Sequence, residues 1–133
     1  MMVTPLYAGL LVLWLLVLSV RVVRRRGSDK IVLGDGGNPS MLRVIRAQAN
    51  FTEYVPLALL MMMLELTRNS IYVLHLLGIL LLISRLLHGY ALSFTSHFMF
   101  GRVAGAGLTF LVLGVEALMC LYQAFIGHQL WMR

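Results

Sequence analysis

The sequence predicts an all-α integral membrane protein, a four-transmembrane-helix bundle forming one domain over residues 1–133. Hydrophobic residues make up 60% of the chain and charged residues 12%, with a mean hydropathy of +0.88. A soluble domain of this length needs more polar cover for its surface. The apolar residues also fall in four stretches, about 3–23, 45–66, 71–92 and 103–126. Each is close to the roughly 20 residues that cross about 30 Å of hydrocarbon. The runs are continuous and rich in Leu and Met, whereas the strands of a membrane barrel alternate. A helix satisfies its own backbone groups in lipid.

The first stretch, Val3 to Val23, has no basic residue before it and an arginine cluster after it, the reverse of signal-peptide order. It is therefore expected to span. Arg21, Arg24, Arg25, Arg26, Lys30, Arg43 and Arg46, against Asp29 and Asp35, make the first connection, about 24–44, strongly basic. By the positive-inside rule that connection is cytoplasmic. Most of the net charge of +6 sits at this one surface, where it suits anionic headgroups or an anionic ligand. Nucleic acid is not an expected partner, because no soluble basic face exists to hold it. Gly34-Asp35-Gly36-Gly37-Asn38-Pro39-Ser40 reads as turn chemistry, since a phosphate loop needs a Gly-Lys-Ser/Thr ending and a preceding strand. Ser40, or Asn38 followed by Pro39, is placed to cap the second helix.

That second helix opens on Arg43-Val44-Ile45-Arg46-Ala47-Gln48-Ala49-Asn50-Phe51-Thr52-Glu53-Tyr54. Arg43, Arg46, Asn50 and Glu53 follow steps of three, four and three, which stacks two cations, an amide and an anion on one helical face. Such groups are expensive in a membrane span. Snorkelling arginines and interhelical hydrogen bonds are the simplest use for them. Glu53, however, lies roughly 10 Å deeper than Arg46 along the axis, where a carboxylate needs a cation or a proton.

Thr67-Arg68-Asn69-Ser70 is short enough to make the second and third stretches an antiparallel hairpin. The third then runs back toward the cytoplasm and presents Arg85, His88 and Tyr90 in its last turns. The fourth begins near Arg102 at that surface and leaves near His128, so both termini are expected on the non-cytoplasmic side. Three helices thus converge ionisable groups on one leaflet. A small zwitterionic, multiply anionic ligand suits them, with guanidinium forks for carboxylates, Glu53 for an ammonium and Asn50 for a peptide amide.

Arg46-Ala47-Gln48-Ala49-Asn50-Phe51-Thr52-Glu53-Tyr54, with Pro56 following and His88-Gly89-Tyr90-Ala91 near the end of the third stretch, closely resembles the MAPEG family, the membrane-associated proteins in eicosanoid and glutathione metabolism. The resemblance covers nearly the whole chain. It implies a homotrimer of four-helix subunits that holds glutathione, as co-substrate, between neighbouring subunits near the cytoplasmic surface. It implies glutathione-contacting roles for Arg46, Asn50, Glu53 and Tyr54, with Gln48 a nearby polar position and Tyr90 a family tyrosine. Arg102 is the position for the arginine that stabilises the glutathione thiolate, the connection before it, Ser93 to Gly101, being longer than in some relatives. One of Arg21, Arg24, Arg25 or Arg26 is expected to reach the ligand across the subunit boundary. Leu86 stands where some eicosanoid-forming relatives carry an aromatic or basic residue, which argues against a specific eicosanoid substrate.

Elsewhere, Glu116 lies mid-helix in the fourth stretch, with His75 a candidate structural partner. His88, His97 and His128 lack convergent metal-site spacing. Gly101, Ala104, Gly105, Ala106 and Gly107 give the fourth stretch a small-residue surface suited to close packing. The nine Met residues suit irregular contacts or an adaptable apolar groove. The leading expectation is a membrane glutathione transferase or peroxidase acting on an apolar small-molecule electrophile, in a bacterial inner membrane. The alternative is a non-catalytic member binding a lipid or partner protein in the same cleft. A small transporter built around Glu53 and Glu116 is a third class.

Overall fold

A computed structural model describes residues 3–65 and 70–131, apart from the side chains of Glu65 and of 126–131. They form four α-helices, α1 (Val3–Asp29), α2 (Pro39–Glu65), α3 (Ile71–Ser93) and α4 (Met99–Trp131). Each outruns its apolar stretch. α1 continues through the arginine cluster, because arginine is a good helix former and needs only to leave hydrocarbon, not to leave the helix. The first connection is therefore 30–38, much shorter than 24–44. α4 starts at Met99, which places Arg102 in its first turn and leaves only 94–98 to join it to α3.

Local chemistry sets these ends. Lys30 adopts a positive φ of 56° and the Ile31 amide donates to the Arg26 carbonyl at 3.1 Å, closing the last turn of α1. Gly34, Gly36 and Gly37 take positive φ values, so the glycine-rich run is turn geometry. Of the two candidate caps for α2, the structure uses Asn38. Its Oδ1 accepts from the Ser40 and Met41 amides at 2.9 and 3.2 Å, with Pro39 at the first helical position. The Asn38 amide also donates to Asp29 Oδ2 at 2.9 Å, tying the two ends of the connection together. Ser70 caps α3; the rest of the expected hairpin turn lies outside the described residues.

Among the described residues, α1, α3 and the Met99–Phe125 part of α4 are long and apolar enough to cross a membrane. α2 is as long as α1 but has no equally apolar continuous stretch, because Arg43, Arg46, Gln48, Asn50 and Glu53 fall between its fifth and fifteenth residues. In the bundle, α1 packs on α2 and α3, and α4 packs on α2 and α3. α2 and α3 touch across the short diagonal, so α1 and α4 take opposite corners. Leu11, Leu18, Phe51, Met62, Leu81 and Val112 fill the centre.

α3 and α4 come close, backbone against backbone, at Gly105. A Cβ added to Gly105 would meet His88 Cβ at 2.7 Å and the Ser84 carbonyl at 2.8 Å. Within the small-residue surface of α4, Gly105 is thus used for packing, whereas Gly107 faces open space. α1 and α3 are joined differently, by polar ties seven residues apart on α1. The Tyr7 hydroxyl lies 3.0 Å from His75 Nδ1, Trp14 Nε1 donates to the Arg85 carbonyl at 3.1 Å, and Arg21 donates to the Ser93 carbonyl and hydroxyl at 2.6 to 3.0 Å. Steps of seven return to nearly the same face of a helix, so the three form one seam between parallel helices. His75 is held in this seam by Tyr7.

Candidate functional site on the second helix

The polar residues of α2 divide three ways around its axis. Gln48 points to α1, where its amide donates to Ser19 Oγ at 2.8 Å. Asn50 points to α3, and its Oδ1 accepts from Arg85 Nη1 at 2.9 Å. Arg46 and Glu53 point out of the subunit. Their charged atoms approach to 3.7 Å, and the two side chains are 56% and 46% exposed. That separation is loose for an ion pair and leaves most of each group's hydrogen-bonding capacity free.

Arg85 is the charged centre beneath this face. It is 2% exposed, and besides Asn50 it donates to Thr109 Oγ1 and, at 3.4 Å, to the Gly105 carbonyl. Thr109 Oγ1 also lies 2.8 Å from the Gly105 carbonyl and 3.0 Å from Ser84 Oγ. The Tyr54 ring stands 6.0 Å from the guanidinium carbon and packs edge-on against Phe110 of α4, 5.5 Å between centroids. A buried cation is thereby supported by an amide, a hydroxyl, a carbonyl and the face of a ring. The sequence marks Arg85 as a charge in an apolar span. It gives no sign of Thr109 or the Gly105 carbonyl as its acceptors.

Two expected site residues stand apart from this cluster. Tyr90 is half exposed on the α1 side of α3, stacked on Phe94 at 5.5 Å and 11°. Phe94 in turn stacks on Trp14 at 6.2 Å, with the Arg21 guanidinium 3.8 Å above its ring. Tyr90, Trp14, Ile83, Leu86 and Leu87 line a shallow apolar hollow of about 390 Å³. Arg102 is half-buried in the first turn of α4, and among the described residues its guanidinium has no hydrogen-bonding or ion-pair partner. One subunit therefore unites Asn50, Tyr54 and Arg85, and sets Arg46 beside Glu53, but leaves Tyr90 on another face.

The fold and this face define a class, an all-helical integral membrane protein whose charged side chains gather where α1 and α3 end and α2 and α4 begin. Within that class, a model of the MAPEG family matches residues 4–122, and the chain belongs to the MAPEG family. It is similar to inner membrane protein YecN of Escherichia coli strain K12, 40% identical over 90 residues that cover 67% of this chain and 69% of that protein. The protein of the same name from Escherichia coli O6:H1 matches to the same extent.

Proposed function

We propose that this protein is an inner-membrane, trimeric glutathione-binding protein that transfers glutathione to, or reduces, apolar electrophiles. The observation that carries the reading is the outward turn of Arg46 and Glu53 in a helix too polar to face lipid alone. Charges aimed out of a membrane subunit need protein or ligand against them. Glutathione between subunits supplies both an ammonium for Glu53 and carboxylates for Arg46, in keeping with family membership. The inner-membrane location follows the name of the YecN relatives.

In this reading Arg102 is the cation at the sulfur. A positive charge favours the thiolate over the thiol, by about 1.4 kcal/mol for each unit of thiol pKa. The thiol proton passes to water. The sulfur lone pair forms the new carbon–sulfur bond, and the electrophile's broken bond leaves its electrons on the departing or ring-opened atom. The apolar hollow beside Tyr90 offers a surface for the electrophile's hydrocarbon part.

Calorimetry of glutathione with the detergent-purified protein tests the reading, with ultraviolet difference absorbance reporting thiolate. Glu53→Ala is expected to weaken binding by about ten-fold or more, the loss of one charge-assisted hydrogen bond. Arg102→Ala is expected to keep affinity within a few-fold while removing the thiolate signal and lowering turnover about ten-fold per pKa unit. Absence of binding at millimolar glutathione would overturn the proposal. Asn50 and Tyr54 are drawn inward to Arg85, and this favours the second reading, a non-catalytic member that binds a lipid or partner, if glutathione fails.

A further inference from the structure

One face of α1 changes character within a single step. Leu13, Leu16, Val17 and Val20 are followed on the same stripe by Arg21, Arg24 and Arg25. This stripe forms one wall of a concave groove of about 790 Å³, closed on the other side by Val44 of α2 and Phe94 after α3. The groove is separate from the face that carries Arg46 and Glu53, and none of the motif residues on α2 lines it.

Length and charge together select an occupant. From Leu13 to Arg24 the helix rises roughly 16 Å, about half of a hydrocarbon core of about 30 Å. The aliphatic floor, Leu13 to Val20, covers about 10 Å of that rise, and the guanidiniums stand beyond it at the depth of that leaflet's headgroups. The arginines are not equally committed. Arg21 is bound to Ser93 and lies over Phe94, and Arg25 pairs with Asp29 at 2.8 Å. Arg24 is exposed, and among the described residues nothing hydrogen-bonds or pairs with it. Asp29 is shared between Arg25 and Asn38, so the rim keeps an excess of positive charge.

We infer that this groove binds one anionic glycerophospholipid, with its phosphate on Arg24 and Arg25 and an acyl chain along Leu13, Leu16, Val17 and Val20. A soluble anion would leave the aliphatic floor unused, and a zwitterionic headgroup would return a positive charge to a rim that already has too many. Basic pockets between membrane helices hold anionic headgroups in this way. The inference does not rest on glutathione binding: with Arg24 and Arg25 on the phosphate and Arg21 tied to Ser93, Arg26, which does not line the groove, is left to reach a ligand across the subunit boundary.

Native mass spectrometry of the delipidated protein in mixed micelles tests it, using phosphatidylglycerol and phosphatidylcholine with identical chains. Wild type is expected to retain one phosphatidylglycerol, bound about ten-fold more tightly than phosphatidylcholine. The double variant Arg24→Gln, Arg25→Gln is expected to lose that preference. Val17→Trp, which fills the floor without touching charge, is expected to weaken both lipids alike. Helical circular dichroism and the unfolding midpoint establish that each variant is folded. Equal binding of the two lipids by wild type, or a preference surviving in the double variant, would overturn the site. So would efficient disulfide cross-linking of Val17→Cys between copies, because a second chain would then fill the groove.

Discussion

Arg85 carries a charge into the centre of the bundle, 2% exposed, and its neighbours explain how the charge is tolerated. Asn50, Thr109 and the Gly105 carbonyl each accept from it, so one side chain joins α2, α3 and α4. Removing it takes the donor from the Asn50 amide oxygen and opens a cavity among α2, α3 and α4, while Thr109 and the Gly105 carbonyl keep each other. Arg85→Ala is expected to destabilise the protein by about 3 kcal/mol, read by denaturant titration in detergent. Arg85→Lys should recover only part of this, because an ammonium cannot fork to acceptors on two helices. At this scale the sequence is legible where the pattern is local. The Arg46 to Glu53 stripe follows from spacing within one helix, and the structure sets the two side by side. The Arg85 cluster draws on a hydroxyl and a carbonyl 24 and 20 residues away along the chain, and a backbone carbonyl has no sequence signature at all.

Helices were legible as apolar stretches, but most of their ends were not, the cap of α2 being the exception because Asn38 was one of its two candidates. Hydropathy marks where hydrocarbon stops, whereas capping marks where a helix stops. Asn38 and Lys30 set the real ends of the first connection, several residues from the edges of the apolar runs. The glycines of α4 show a second limit, since composition marks a smooth surface without saying which glycine touches a neighbour. A Cβ at Gly105 would strike the α3 backbone, while one at Gly107 would meet nothing within 4 Å. Gly105→Val is accordingly expected to cost about 1–3 kcal/mol through overpacking. Gly107→Ala should be neutral or stabilising by up to about 1 kcal/mol from helix propensity. Unfolding midpoints of the two variants check the contrast, and equal destabilisation would show that the α3–α4 approach is looser than described.

For the whole molecule, the class was plain from composition, because 60% hydrophobic residues cannot be hidden inside 133. Assembly was not, since it depends on which face a helix turns outward. α2 turns Arg46 and Glu53 outward, so a lone subunit in lipid would present charge to hydrocarbon. Native mass spectrometry in mild detergent is expected to show a trimer, and a stable monomer would count against a site shared between subunits. The seam joining α1 to α3 bears on how such a subunit deforms. Tyr7, Trp14 and Arg21 are fastened at three levels along one line, so sliding α1 by a turn, about 5.4 Å, would break every fastening together. Swinging α1 about that line breaks none of them. The first helix is thus hung like a door on three pins and latched to α2 by the hydrogen bond from Gln48 to Ser19, with its height in the membrane fixed.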